Sequence, residues 1–135
     1  MDMLDRSAGT ASDPSLRACI EACNDCHRAL RGFAREGARS GPGSPTDRTM
    51  WRLMLDCAEV CEATATFLRA ESVFIPQLAE ACLHLCDECA AACEAAAPGT
   101  AMDACAAACR RCAQACFAMS ARMQSRKSMH RLQCA

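Results

Sequence analysis

Residues 82–93 read CLHLCDECAAAC, and residues 105–116 read CAAACRRCAQAC. In both stretches the cysteines follow one another at steps of four, three and four residues. That spacing places side chains on one face of an α-helix, where leucine usually supplies the surface that enters a bundle core. The pattern therefore predicts two helices whose inward faces are made of sulfur.

The same helical spacing recurs in the first half of the chain. Cys19, Cys23 and Cys26 form a third group, and Cys57 and Cys61 form a fourth. Thirteen of the fourteen cysteines in this chain of 135 residues thus fall into four segments, and the remaining one lies near the C-terminus. Four separate helices with the same inward residue predict a shared core rather than four independent motifs.

Capping signals mark the first two helices. Asp13 followed by Pro14 is typical of an N-cap and a first helical residue, and this helix is expected to end near Glu36, before a loop rich in glycine, serine and proline. Pro45, preceded by serine, opens a second helix that is expected to end near Glu71.

Similar signals mark the last two helices. Ser72 is expected to cap the third helix, which Pro98-Gly99 terminates. Thr100 is expected to cap a fourth helix that continues to about Lys127. The chain is rich in alanine, leucine, arginine, glutamate and methionine, and these residues favour helices.

Short connections between long helices predict an all-α fold, an antiparallel up-down-up-down four-helix bundle with a cysteine-lined core. The bundle is expected to occupy residues 14–127. Residues 1–13 are expected to form a disordered N-terminal segment, and residues 128–135 a frayed C-terminal tail.

The helix ends and the cysteines predict one register. When the lowest cysteine of each helix is placed at the same height, the four upper ends agree within about 3 Å at about 1.5 Å per residue. The inner positions then form four layers. In order they are Cys19, Cys61, Cys82 and Cys116; Cys23, Cys57, Cys86 and Cys112; Cys26, Met54, Cys89 and Cys109; and Leu30, Met50, Cys93 and Cys105.

The two ends of this column differ in composition. An apolar plug is expected below it, consisting of Leu16, Leu68, Ile75, Leu78, Met119 and Met123. Phe33 and Met102 lie above it, beside the glycine-rich loop. We expect metal ions to enter at this upper end, past Met102 and Met50.

Composition excludes several classes of protein. The net charge is −1 with no dominant basic face, which argues against a nucleic-acid partner. The N-terminal stretch has no features of a secretory or twin-arginine signal, so we expect a cytoplasmic protein whose thiols stay reduced. Charged residues interrupt every apolar stretch, so no membrane span is expected.

Disulfides within a helix are excluded by distance. Side chains four residues apart on a helix have Cβ atoms about 5–6 Å apart, whereas a disulfide requires about 3.5–4.5 Å. The repeated C-x-x-x-C pairs instead place two sulfurs where they can bind one ion.

Soft sulfur ligands select copper(I), zinc or iron–sulfur clusters. Iron–sulfur clusters usually use compact loop motifs that this chain lacks. Zinc prefers four ligands, so thirteen thiols would supply only about three unshared zinc sites. Copper(I) accepts two or three bridging thiolates and balances about one thiolate charge per ion, which limits the cost of burying charge. Multiple copper(I) ions are favoured, and storage of zinc or another soft ion remains the alternative.

Other functions that use such bundles or motifs fit less well. A thiol oxidoreductase needs an exposed C-x-x-C at a helix N-terminus, and a diiron enzyme needs inward glutamates with Glu-x-x-His. Neither arrangement is present on the inner stripes, so no enzymatic activity is expected. A metal-responsive regulator would need a basic face for binding DNA, and this chain has no dominant basic face.

Four cysteine-lined helices with repeated C-x-x-x-C and no export signal resemble the cytosolic copper storage proteins of bacteria. The resemblance covers residues 14–127 and implies a bundle that stores many copper(I) ions, assembles as a homo-oligomer, commonly a tetramer, and supplies a copper chaperone or copper enzyme. The core-lining role carries over to Cys19, Cys23, Cys26, Cys57, Cys61, Cys82, Cys86, Cys89, Cys93, Cys105, Cys109, Cys112 and Cys116.

Methionines and histidines near the mouth of the bundle complete that resemblance only in part. Met50, Met54 and Met102 fit by position, and Met54 and Met50 are candidate metal ligands. His27 and His84 lie beside the cysteine stripes and are expected to face solvent or an interface.

Overall fold

The computed structural model describes residues 13–39, 45–96 and 99–134, and within them the chain forms four α-helices and no strand. The helices are α1 (Pro14–Arg39), α2 (Pro45–Arg69), α3 (Ile75–Ala95) and α4 (Thr100–Cys134). The predicted all-α four-helix fold is confirmed. The disordered segment expected at residues 1–13 lies outside the described residues, except for Asp13.

α1 begins as predicted. The Asp13 carboxylate accepts hydrogen bonds from the backbone N–H groups of Ser15 and Leu16, at 3.1 and 3.3 Å. The helix continues through Gly37 to Arg39, three residues beyond the predicted end. One glycine costs a helix only about 1 kcal/mol, so Gly37 does not terminate it.

A Schellman motif ends α2. The Glu71 N–H donates to the Leu68 carbonyl and the Ser72 N–H to the Phe67 carbonyl, each at 3.1 Å. Glu71 adopts the left-handed conformation that this motif requires, with φ of 50°. A non-glycine residue in that conformation costs about 1 kcal/mol, and the two hydrogen bonds offset it.

α3 begins at Ile75, so the prediction that Ser72 caps it is wrong. The Ser72 side chain instead accepts the Phe74 N–H at 3.0 Å in a turn that precedes the helix. The α-helical bond to the Ser72 carbonyl would have to come from residue 76, which is a proline without an N–H. The first such bond therefore runs from the Leu78 N–H to the Phe74 carbonyl, at 3.0 Å.

α4 differs from the prediction at both ends. The Asp103 N–H bonds to the Gly99 carbonyl at 2.9 Å, so Gly99, not Thr100, is the capping residue. The helix runs on to Cys134 instead of fraying after Lys127. Residues 128–134 contain neither glycine nor proline, and basic side chains near a helix C-terminus favour its dipole.

Each helix packs against the next in sequence, and α4 also packs against α1. Neighbouring helices are antiparallel. Along the α1–α4 contact, for example, Cys19 meets Cys116 and Cys26 meets Cys109. The four helices therefore enclose one central column.

Ion pairs join the helices outside this column. Arg110 of α4 bridges to Glu94 and Asp87 of α3, at 2.7 and 3.4 Å. Arg122 of α4 binds Asp13 at the start of α1, at 2.7 Å. Exposed pairs of this kind contribute little each, so the fold depends mainly on the buried column.

An apolar plug closes the lower end of the column, with five of the six predicted members; the sixth, Leu78, is half-buried and lies outside the core cluster. Its buried members are Leu16, Leu68, Ile75 and Met119, and Met123 packs partly buried against them. At the other end, Phe33, Met50 and Met102 are partly buried against the core. None of the described helices is long and apolar enough to cross a membrane.

Candidate metal centre

All thirteen cysteines of the four helices lie in the core. Eleven have no solvent-exposed surface, while Cys93 and Cys105, at the upper end, are 2% and 3% exposed. Every one of the thirteen is a free thiol. The geometric premise of the sequence analysis, that sulfur from all four helices converges on one axis, is therefore confirmed.

Sulfur contacts within layers follow the predicted register. Sγ–Sγ distances are 3.9 Å for Cys19–Cys116 and 3.8 Å for Cys61–Cys82 in the lowest layer. In the next two layers, the corresponding contacts are 3.7 Å for Cys23–Cys112, 3.6 Å for Cys57–Cys86 and 3.6 Å for Cys26–Cys109.

Contacts between layers, which the layer description did not anticipate, are as short as those within layers. Cys61 lies 3.7 Å from Cys86 and 3.9 Å from Cys112, and Cys82 lies 3.7 Å from Cys112. These contacts join sulfurs of the two lowest layers into one network, and one sulfur can take part in more than one site.

Four groups of sulfurs are compact enough to hold an ion, with all members of a group within 4.8 Å of one another. They are Cys23, Cys82, Cys112 and Cys116; Cys26, Cys57, Cys61 and Cys86; Cys61, Cys82, Cys86 and Cys112; and Cys57, Cys89 and Cys109. Several cysteines belong to two groups, so sulfurs are available for bridging.

The spacing suits soft metal ions without movement of the helices. With a metal–sulfur bond of about 2.3 Å, sulfurs stand about 4.0 Å apart around a trigonal ion and about 3.8 Å apart around a tetrahedral one. The observed contacts of 3.6–3.9 Å match both arrangements. The donor set therefore fits the soft cations that the sequence predicted.

Burial and hydrogen bonds between thiols shift the pKa values of the core cysteines in both directions. Desolvation raises the pKa of the Cys105 thiol to about 11. In the centre, hydrogen bonding with Cys112 raises the pKa of Cys23, Cys61 and Cys86. The surrounding thiols, with Cys116 first, lower the pKa of Cys112 itself, because they stabilise its thiolate. The pKa is also raised for Cys89, Cys109 and Cys116, and it is lowered for Cys19, Cys26, Cys57, Cys82 and Cys93. The apo core therefore holds protonated thiols beside neighbours that ionise more readily, and metal ions displace the protons that remain.

The other candidate ligands occupy different environments. Met54 is fully buried in the core, and Met50 is partly buried against it. His27 lies outside the column, where its Nδ1 donates to the Ala58 carbonyl at 3.0 Å and its Nε2 lies 3.2 Å from a Glu62 carboxylate oxygen. His84 is 70% exposed beside Glu80.

Thr64 is a buried polar residue that the sequence analysis missed. It has no exposed surface and lies on α2, three residues after Cys61. Its hydroxyl donates to the Val60 carbonyl at 2.7 Å, so the group is satisfied within its own helix. Its position on the inner stripe and the capacity of threonine for this bond were the available signals.

Comparison with known proteins identifies the family. Residues 11–121 match the family model described as copper storage protein. The chain belongs to the copper storage protein family. The thirteen buried cysteines of the bundle all lie within the matched residues.

Two solved structures and one curated protein are similar to this family member. The Nmul_A1745 protein of Nitrosospira multiformis is 35% identical, with a TM-score of 0.73 over 82% of this chain and 98% of its own. The Cu(I)-bound copper storage protein BsCsp3 is 27% identical, with a TM-score of 0.71 over 78% of this chain and 98% of its own. The uncharacterized cysteine-rich protein YhjQ of Bacillus subtilis strain 168 is 29% identical over 56% of this chain and 69% of its own length.

Proposed function

We propose that this protein stores copper(I) by binding many ions to the sulfurs of its core. One observation carries the proposal. Thirteen thiols from four helices meet in an enclosed column, and ten of their sulfurs lie 3.6–3.9 Å from a sulfur on another helix, as bridged soft-metal sites require. The similarity to the Cu(I)-bound protein BsCsp3 supports the same conclusion.

The proposed ligands are the thirteen core cysteines together with Met54 and Met50. The complete burial of Met54 among the cysteines supports a thioether contact to copper, and the partly buried Met50 extends the same stripe upward. A thioether is neutral, so these ligands add no charge to the core.

Charge balance favours copper(I) over zinc as the stored ion. Each copper(I) neutralises about one thiolate, so a loaded column stays close to neutral, whereas a tetrathiolate zinc site carries a charge of about −2. Filling the column with zinc would bury about three such sites, and that accumulation of charge disfavours zinc storage.

Copper is proposed to enter at the upper end. Cys93 and Cys105 are the two core cysteines with measurable exposure, which supports that route. Limited alkylation of the reduced apo protein, followed by peptide mass spectrometry, tests it. Labelling of these two before the other eleven is expected, and initial labelling at Cys19 or Cys116 beside the plug would contradict it.

The setting of the protein is part of the proposal. We propose a cytoplasmic homo-oligomer, a tetramer, without enzymatic activity, which limits free copper(I) and supplies a chaperone or copper enzyme. Reduced thiols persist in a reducing cytosol, which supports the location. The exposed side chains of Val73, Phe74 and Phe117 offer apolar surface for subunit contact.

An anaerobic titration tests storage directly. Copper(I) is added to fully reduced protein against a strong chromophoric chelator, with zinc in a parallel run. Uptake of more than about three copper ions per chain is expected, since that exceeds the capacity of unshared four-thiolate sites. Saturation at one or two ions would contradict storage, and greater uptake of zinc than copper would favour zinc as the cargo.

A further inference from the structure

One group of sulfurs, which we call the central tetrad, has a regular shape. The central tetrad comprises Cys61, Cys82, Cys86 and Cys112. The Cys61 sulfur lies 3.8 Å from that of Cys82, 3.7 Å from that of Cys86 and 3.9 Å from that of Cys112. Cys82 lies 3.9 Å from Cys86 and 3.7 Å from Cys112, and the remaining distance is within 4.8 Å. Five of the six edges are therefore nearly equal.

These edges define a tetrahedron of a size familiar from metal sites. The centre of a regular tetrahedron with edges of about 3.8 Å lies about 2.3 Å from each vertex, which is the zinc–sulfur bond length in tetrathiolate sites. Copper(I) prefers two or three thiolates, so four sulfurs joined by five edges of 3.7–3.9 Å suit a tetrahedral divalent ion better.

Three helices hold the tetrad in place. α2 supplies Cys61, α3 supplies Cys82 and Cys86 one turn apart, and α4 supplies Cys112. All four side chains have no exposed surface. An ion at the centre would bind without rearrangement of the helices, and it would tie α2, α3 and α4 together.

Neighbouring thiols complete the site as hydrogen-bond donors. The Cys57 sulfur lies 3.6 Å from Cys86, and the Cys23 sulfur lies 3.7 Å from Cys112. Once the tetrad is deprotonated and metal-bound, each of these outer thiols can donate its S–H to a metal-bound thiolate. Such donors stabilise the excess negative charge of a tetrathiolate complex.

We infer that the central tetrad binds one divalent soft cation of the zinc class as a tetrathiolate. Binding displaces the four thiol protons to solvent and leaves a complex of net charge −2. A single ion per chain would stabilise the copper-free bundle by linking its helices, and it would not amount to metal storage. Copper loading uses the same four sulfurs, so the two metals exclude each other at this position.

Cobalt(II) titration of the reduced, copper-free protein tests this inference, because tetrahedral cobalt–thiolate sites absorb strongly in the visible range. We expect saturation at about one ion per chain, displacement by zinc, and a higher melting temperature for the one-ion complex. Cys112→Ser should weaken binding at least about 100-fold, since loss of outer-shell partners alone costs about 10–100-fold. Ala113→Ser, at a buried α4 position next to Cys112 that supplies no metal ligand, should leave binding unchanged.

Other results would overturn it. Saturation at two ions, a weak octahedral spectrum, or equal loss of affinity in both variants each excludes a single site at the tetrad. Circular dichroism establishes that the variants are folded, and Cys86→Ser serves as a second ligand variant if Cys112→Ser does not fold. The copper titration is separate, so its failure would contradict storage and leave the tetrad inference standing.

Discussion

Removal of Cys61 should cost more copper than removal of any single peripheral thiol. Cys61 contacts three sulfurs at 3.7–3.9 Å and belongs to two of the four ion-sized groups. Cys105 belongs to none of these groups among the described residues, and its sulfur instead lies 3.6 Å from the Ala29 carbonyl oxygen. Cys61→Ala therefore removes a sulfur that has three sulfur neighbours, whereas Cys105→Ala removes a sulfur that belongs to none of these groups.

The size of the difference follows from bridging. Loss of Cys61 removes a ligand from two groups, so the copper capacity should fall by at least about two ions, while Cys105→Ala should lose at most about one. Either change removes one buried sulfur and should lower the apo free energy of unfolding by about 1 kcal/mol. For a chain of this size, that corresponds to a melting temperature lower by about 3–5 °C.

Native mass spectrometry after anaerobic copper(I) loading counts the ions in each variant, and chelator competition measures their affinity. Apo melting curves for both variants serve as the matched control for folding. Equal losses of copper in the two variants would refute the argument, because they would show that each sulfur contributes independently of its neighbours.

Three further results are expected. Leu68→Ala in the apolar plug should lower the apo free energy of unfolding by about 2–5 kcal/mol in a denaturant melt and leave the copper capacity unchanged. The control Leu55→Ala, at a side chain that is 38% exposed, should have little effect. Loss of copper capacity in Leu68→Ala would show that the plug and the copper-binding column are one unit. Copper affinity, measured by chelator competition, should rise between about pH 6 and about pH 8, because thiols such as Cys105, with its pKa raised to about 11, release protons when copper binds. A copper affinity that stays constant or falls over this range would contradict the prediction. The Arg122 hydrogen bond lowers the pKa of Asp13, so Arg122→Gln should destabilise the fold at neutral pH. This effect should fade as the pH falls below the unfolded pKa of about 3.9 and vanish once the pH is below the lowered folded pKa, and a difference that persists in the most acidic melts would assign the effect to packing.

The sequence predicted the column well because two independent signals agreed. The spacing of cysteines set the inward face of each helix, and proline and glycine at the helix ends set the vertical alignment. Contacts such as Cys26–Cys109, at 3.6 Å, lie in the predicted layer. Register follows from periodicity, so this part of the fold could be read without coordinates.

Helix ends were predicted less well, for local reasons. Ser72 has the residue type of an N-cap, but the missing N–H of Pro76 delays α3 until Ile75. Gly37 has the residue type of a stop, yet α1 passes through it. In the first case the proline decides where the helix begins, and in the second the cost of one glycine is too small to end the helix.

Contacts between layers could not be predicted from spacing alone. A flat layer description places Cys61 with Cys82, and rotamers decide that its sulfur also reaches Cys86 and Cys112. The roles of Met54 and Met50 as ligands remain predictions. Their exposure distinguishes a buried position from a partly buried one, but metal preference depends on the sulfur geometry in the loaded state.

The apolar plug is a part of the core that contains no cysteine. Leu16, Leu68, Ile75 and Met119 occupy one end, so their packing does not depend on whether the sulfurs carry ions. A chain that has released its copper keeps its fold and can bind copper again. A cell can therefore regain copper-binding capacity when existing chains bind copper again, without first degrading them and making new ones.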